Sequence, residues 1–175
     1  MLVKRHIPSP YIIVAHSYGA MYAGYFVLKN PKLVKALLLV DPVPRNFEFS
    51  KKLMKRFNKG ITEAEKFPAT TIYQNYIGSD AEVLYQMIGF SKSKNELKIL
   101  GEINNTIPVV IISSTKMEYK TKPIVGDWYN NQKQWLNKNP DSKIFQVKSG
   151  HFIQIDRPNI VCKQIKNLML ISYRK

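Results

Sequence analysis

Short apolar runs alternate along the chain with segments in which apolar residues recur at helical spacing. Three of these runs, at residues 11–15, 34–40 and 107–113, predict buried strands, and residues 143–148 predict a short strand with alternating apolar and polar positions. Helical spacing follows the first, third and fourth of these strands, which gives an order of β-α-β, an insertion, and then β-α-β-α. Such alternation predicts an α/β fold, with a parallel sheet of about four strands and flanking helices.

The stretch between the second and third runs differs from the rest of the chain. It is rich in Lys and aromatic residues and contains no clear buried strand. Capping-box spacings at Thr62, Ser79 and Ser93 predict several short helices there. We therefore predict a helical cap inserted into a core made of two segments. The predicted division is 1–42 for the first core segment, 43–105 for the cap and 106–175 for the second core segment.

The first strand and the first helix are joined by a turn of unusual composition, AHSYG. A serine at the apex of such a turn, here Ser17, is held with its hydroxyl clear of the backbone. Small residues two positions before and two positions after it, Ala15 and Gly19, let the strand and helix approach closely. The pattern A-x-S-x-G differs by one methyl group from the G-x-S-x-G nucleophile elbow.

This strand-turn-helix resembles the nucleophile elbow of the α/β-hydrolase superfamily. The later residues follow the order Ser, acid, His that this superfamily uses. Asp41 ends the second predicted strand, and His151 lies in the sequence Ser-Gly-His-Phe after the last strand. Several strands and helices precede the elbow in the family. The resemblance therefore implies a partial α/β-hydrolase fold, from the elbow onward.

The resemblance also implies roles for individual residues. Because a free serine hydroxyl is a poor nucleophile, Ser17 needs a base, His151, and an acid that orients the base, for which we favour Asp41. The backbone N–H of Tyr18 is the implied donor of an oxyanion hole, and the family takes a second donor from a loop upstream of the elbow. His16 is predicted to support the elbow rather than to act as the base, since adjacent residues on a tight turn point apart.

The acid has other candidates. Glu118 lies in the loop after the third strand, where most members of the family place the acid, and Asp127 is a weaker candidate. An alternative interpretation of Asp41 is an aspartate that caps a helix. Asp156 is predicted to cap the last helix, because it follows His151 too closely in the sequence to be its partner.

Two functional hypotheses lead, and a third, a basic module that binds nucleic acid or a membrane surface, is the minority interpretation. The first is an esterase-like serine hydrolase that cleaves a small, apolar ester or acyl substrate through an acyl intermediate on Ser17. This chemistry requires no cofactor, and we predict none. The second is a truncated, catalytically silent hydrolase fragment. Its first strand would lie on a sheet edge with unpaired backbone groups, so it would form a homo-oligomer or pair with a separate chain that supplies the N-terminal portion.

The charge of the chain does not indicate a nucleic-acid partner. Lys and Arg number 27 against 12 Asp and Glu, for a formal charge of +15. The basic residues are mostly Lys and are spread over most of the chain, whereas nucleic-acid readers favour clustered Arg with aromatic partners.

Location and metal binding follow from what the sequence contains. No apolar run approaches the roughly 20 residues that cross a bilayer, so we expect no membrane insertion and a cytoplasmic location. The three histidines are far apart and Cys162 is the single cysteine, which predicts no metal site. Cys162 falls in the last helical pattern and is predicted to be a small buried residue.

Overall fold

The computed structural model of the protein describes residues 6–46, 79–116 and 127–173, together with isolated positions between 48 and 62. Its centre is a parallel sheet of four strands, in which the spatial order is the chain order. The strands are β1 (Tyr11–His16), β2 (Val34–Val40), β3 (Val109–Ser114) and β4 (Lys143–Val147). The predicted α/β class and four-stranded parallel sheet are confirmed.

The third strand begins two residues later than the sequence predicts. Pro108 has no N–H and cannot donate to a neighbouring strand. Its carbonyl accepts a hydrogen bond from the N–H of Leu37 at 3.0 Å. The paired strand therefore starts at Val109.

The two central strands separate two layers of core. Successive side chains of a strand point to opposite faces of the sheet. Leu37 and Leu39 of β2 face one layer, while Leu38 and Val40 face the other. Both faces of β2 and β3 are buried, which explains why these strands are apolar apart from Lys35 near the start of β2 and Ser113 and Ser114 at the end of β3.

Helices cover both faces of the sheet. In the described ranges the α-helices are α1 (Gly19–Lys29), α2 (Ser79–Leu100), α3 (Trp128–Gln132), α4 (Ile153–Asp156) and α5 (Pro158–Tyr173), and 3₁₀ turns lie at Pro31–Leu33 and Lys133–Trp135. Residues of α1 and α2 pack on one face, and residues of α5 pack on the other. In the parts of the chain that the structure describes, no helix is long and apolar enough to cross a membrane.

Two local predictions about helices are wrong. Ser93 does not begin a helix. It lies inside α2, because apolar residues on both sides of it, Phe90 and Leu97, continue one buried stripe. Cys162 is exposed, since the buried positions of α5 include its neighbour Val161 and then Leu168.

β1 lies at an edge of the described sheet. One side of β1 pairs with β2, and no strand of the described residues pairs with its other side. The side chain of Val14 is 44% exposed. A groove of about 350 Å³ runs beside this strand and is lined in part by Pro8, Tyr11, Val14, Ile165 and Met169.

Candidate active site

Ser17 occupies the turn between β1 and α1 in a strained backbone conformation. Its φ is +53°, in the left-handed region that few residues other than glycine adopt. Its N–H donates to the carbonyl of Val40 at 3.1 Å, and its own carbonyl accepts from the N–H groups of Ala20 and Val43. These bonds tie the turn to the end of β2, so the surrounding structure sustains the strain.

Strand and helix approach closely at this turn. A Cβ added to Gly19 would lie 3.8 Å from the Cβ of Ala15, which is ordinary van der Waals contact. The junction therefore has room for one methyl group at position 19.

His151 lies between Ser17 and Asp41. It sits in the loop between β4 and α4, and its ring nitrogens make two short hydrogen bonds. Nε2 lies 2.8 Å from Oγ of Ser17, and Nδ1 lies 2.7 Å from Oδ2 of Asp41. A carboxylate only accepts hydrogen bonds, so Nδ1 carries the proton and Nε2 is free to accept the proton of the serine hydroxyl. The structure thus brings together the three residues to which the sequence assigns nucleophile, base and acid.

The carboxylate of Asp41 is fully buried and receives hydrogen bonds from several directions. Oδ1 accepts from the N–H of Ser114, from Nε1 of Trp128 and from Nε2 of Gln132 at 2.9–3.1 Å. Oδ2 accepts from Oγ of Ser114 at 2.8 Å and from His151. Burial by itself raises the pKa of Asp41, but the hydrogen bonds from His151, Trp128, Ser114 and Gln132 outweigh it and lower the pKa below its ordinary value. Asp41 is therefore ionised at neutral pH.

Asp127, another acid candidate, stands elsewhere. Asp127 caps α3, where its Oδ1 accepts from the N–H of Asn130 at 2.7 Å. Glu118 lies outside the described residues. Asp41 does not follow the helix-cap interpretation, because the donors on its carboxylate come from β3, from two side chains of α3 and from His151.

The side chain of His16 contacts the base, His151. Its Nε2 lies 2.9 Å from the backbone carbonyl of His151, and the two imidazole rings are 4.6 Å apart. Burial lowers the pKa of His16, although the hydrogen bond to the carbonyl of His151 raises it in part. A neutral ring has one proton, and a carbonyl requires a donor, so that proton is on Nε2.

Asp156 holds the loop that carries His151. Its Oδ2 accepts from Oγ of Ser149 at 2.9 Å and from the N–H of Gly150 at 3.0 Å. The prediction that Asp156 caps the last helix is wrong: it ends the one-turn helix α4, and α5 begins two residues later at Pro158. The chain turns back through α4, which brings this carboxylate to the residues just before His151.

Tyr18 is placed at the beginning of α1. Its backbone is already helical, with φ −63° and ψ −24°, so its N–H lies at the positive end of the helix dipole. The side chain points away from this role, because the buried ring packs near Phe90 and the hydroxyl lies 3.5 Å from Oγ of Ser93. Its part in an oxyanion hole stays a prediction.

Three residues of the site were not found from the sequence. Ser114, Trp128 and Gln132 supply four of the five donors to Asp41. Ser114 had a usable signal, since it ends the strand next to β2 and the carboxyl ends of parallel strands meet at one edge. The two side chains of α3 had none. No group of three metal-ligating side chains is found among the residues for which positions are described.

A doubly covered parallel sheet carries a strained serine between strand and helix, and a histidine is bonded to both that serine and a buried aspartate. This is the arrangement of the α/β-hydrolase fold. The sequence model of the serine hydrolase family, described as "Serine hydrolase", matches residues 3–82. Protein YqjL of Bacillus subtilis (strain 168) is 27% identical over 162 residues, which make up 92% of this chain and 57% of YqjL. The chain therefore has the α/β-hydrolase fold, and it spans a little over half the length of this relative.

Solved structures have the same fold. A variant of the haloalkane dehalogenase DatA from Agrobacterium tumefaciens C58 is 16% identical, with a TM-score of 0.60 over 95% of this chain and 69% of DatA. The enol-lactonase from Burkholderia xenovorans LB400 is 12% identical, with a TM-score of 0.53 over 97% of this chain and 69% of the lactonase. Each comparison leaves close to a third of the other protein outside the match.

Proposed function

We propose that this chain is an esterase-like serine hydrolase that cleaves a small, apolar ester or related acyl compound. The observation that carries the proposal is the continuous hydrogen-bonded path from Ser17 through His151 to Asp41, with donor–acceptor distances of 2.8 and 2.7 Å. These distances lie within the reach that a general base needs.

The reaction follows from the proton positions. Oγ of Ser17 attacks the carbonyl carbon of the ester while Nε2 of His151 takes the hydroxyl proton. The buried carboxylate of Asp41 keeps the proton on Nδ1 and stabilises the imidazolium that forms. When the tetrahedral intermediate collapses, Nε2 returns the proton to the leaving alkoxide, and an acyl-serine remains. Water then attacks the acyl-serine with the same base, which releases the acid and restores Ser17.

The developing oxyanion needs donors fixed in advance. The N–H of Tyr18 is the proposed donor, because it directly follows Ser17 and lies at the N-terminus of α1. Removal of one such donor in other hydrolases costs on the order of 100- to 1,000-fold in rate. The rate of this chain therefore depends on whether a second donor is supplied.

The surroundings of the base support an apolar substrate. The side chain of Phe152 is 55% exposed, and its ring centre lies 5.5 Å from that of His151. The ring of Trp128 lies 6.4 Å from the same histidine and meets it edge-on. Two aromatic rings at the base favour apolar groups on the ester. The likeness to an enol-lactonase is consistent with ester chemistry.

A fluorophosphonate probe tests the nucleophile. We expect it to label Ser17 in the folded chain and to leave Ser17→Ala unlabelled, while Ser91→Ala, an exposed serine of α2, is labelled as the parent is. Hydrolysis of 4-nitrophenyl acetate, butyrate and decanoate then ranks acyl length, with the short esters expected to be the better substrates. Absence of labelling at high probe concentration, in a sample with a cooperative unfolding transition, would contradict the proposal.

The edge position of β1 favours a second hypothesis, in which the chain is a catalytically silent hydrolase fragment that pairs with another strand. The exposed Val14 and the groove beside it suit a further strand, supplied by another copy or by a separate chain that adds an N-terminal portion. We expect Val14→Lys to reduce self-association in sedimentation velocity, and the control Tyr22→Lys, at an exposed position of α1, to have no effect. This hypothesis would be contradicted if the chain sediments as a monomer at tens of micromolar and if its activity does not rise when a peptide that supplies N-terminal strands is added.

A further inference from the structure

The backbone of His151 has a partner that the proposed reaction does not use. Nε2 of His16 donates to the carbonyl oxygen of His151 at 2.9 Å. The His16 ring also lies against the His151 ring at 4.6 Å and against the ring of Phe152 at 5.4 Å. His16 is partly buried in this arrangement.

Three residues at the carboxyl ends of β1 and β2 form hydrogen bonds with the same histidine, His151. Ser17 bonds Nε2 of His151, Asp41 bonds Nδ1, and His16 bonds the carbonyl. His16 is the last residue of β1 and pairs with Val40, which itself accepts from the N–H of Ser17. His16, which bonds the backbone of the base, and Ser17, the nucleophile, are therefore adjacent residues at the end of β1.

The bonds to the two ring nitrogens orient the imidazole of His151, but they do not fix the position of its backbone relative to the sheet. On the far side of the loop, Asp156 holds Gly150 and Ser149. On the near side, the bond from His16 is the one that ties the carbonyl of His151 to the sheet. The carbonyl of Ser149 accepts from the N–H of Lys116 at 3.1 Å, so loss of the His16 bond frees the carbonyl of His151 while the start of the loop stays held.

We propose that His16 is a positioning residue that sets the distance between Nε2 of His151 and Oγ of Ser17 by holding the carbonyl of His151. The inference rests on the proposed function for its effect on rate, but the hydrogen bond itself can be tested without catalysis. A displacement of about 1 Å in a catalytic group can cost on the order of 100-fold in rate. One variant of His16 that keeps the donor without the ring, and another that keeps the ring without the donor, distinguish the effect of the hydrogen bond from that of ring stacking.

The experiment compares His16→Phe, which keeps a ring and removes the donor, with His16→Gln, whose amide supplies a donor at similar reach. His6→Asn is the control: it removes an exposed histidine and suits the left-handed backbone at that position, where φ is +53°. We measure kcat and KM with 4-nitrophenyl butyrate, the rate of Ser17 labelling, and the far-downfield proton resonance of Nδ1 of His151. The midpoint of urea unfolding is recorded for each variant.

The expected result is a fall in kcat and in labelling rate of about 10- to 100-fold for His16→Phe, at unchanged KM, with recovery to within about threefold in His16→Gln. The Nδ1 resonance should shift or broaden in the Phe variant and return in the Gln variant. The inference is overturned if the Phe variant keeps its rate and resonance, or if the Gln variant is as impaired as the Phe variant. If the parent chain fails to react with the probe while the resonance still responds to His16, the proposed function fails and the positioning inference stands.

Discussion

The substitution Asp41→Asn separates the chemistry of the acid from its part in the fold. Asparagine has nearly the same shape, and its oxygen can keep the three donors that now reach Oδ1. Its NH₂ group replaces Oδ2, which now accepts from Oγ of Ser114 and from Nδ1 of His151. Two of the five hydrogen bonds therefore change in character.

The expected effect on rate is large, because an amide proton now faces Nδ1 of His151. The ring must accept at Nδ1 and so carries its proton on Nε2, directed at Ser17, where it cannot act as a base. Loss of the correct tautomer lowers kcat by roughly 10³- to 10⁴-fold. All five hydrogen bonds lose the charge of the carboxylate but keep partners, so we expect the free energy of unfolding to fall by about 1–3 kcal/mol.

Asp41→Ala is less informative. It leaves buried donors on Ser114, Trp128 and His151 without their acceptor, each at a cost of about 1–3 kcal/mol. The sum approaches the whole stability of a small domain, which is about 5–15 kcal/mol. An inactive alanine variant would therefore not distinguish lost chemistry from lost structure.

The assay is hydrolysis of 4-nitrophenyl butyrate with urea unfolding of the same samples. Asp127→Asn is the matched control, since asparagine also caps helices and Asp127 only caps α3. A folded Asp41→Asn variant that keeps kcat within tenfold of the parent would refute the assignment of the acid. An equal loss of rate in Asp127→Asn would refute it as well.

Three further outcomes are expected. Ser17→Gly should unfold at higher urea than Ser17→Ala, by about 1 kcal/mol, because glycine adopts a φ of +53° without strain; equal midpoints would contradict a strained turn. Gly24→Ala should destabilise the chain by about 1–3 kcal/mol, because its Cβ would lie 2.7 Å from Cη2 of Trp135, and Gly24→Ala should cost less in a Trp135→Leu background; unfolding of the two singles and the double variant checks this. The folded chain holds the pKa of Asp41 below its ordinary value, so the stabilisation it provides is present above about pH 4 and is lost as the pH falls through the lowered pKa. The difference in unfolding free energy between the parent and Asp41→Asn should therefore shrink as the pH falls from 5 to 2, and a difference that grew on acidification would show the opposite sign.

Local patterns in the sequence predict most of the core of this fold. The segment Val34–Val40, apolar apart from Lys35, is a strand because both of its faces are buried, and its predicted bounds agree with the structure. The turn at Ser17 could be located because a sharp strand-to-helix junction restricts the residues beside it. Such signals are readable since they depend on neighbours within a few positions along the chain.

Only the tertiary structure decides contacts between distant parts of the chain. Asp41 and His151 are 110 residues apart, and the sequence alone left three acids as candidates for that contact. The bond from His16 to the carbonyl of His151 and the bonds from Asp156 to the preceding loop have no local pattern, because each depends on how a loop returns to the sheet edge. Composition and periodicity indicate which residues are buried. Hydrogen bonds at the sheet edge depend instead on the positions of strand ends that only folding brings together.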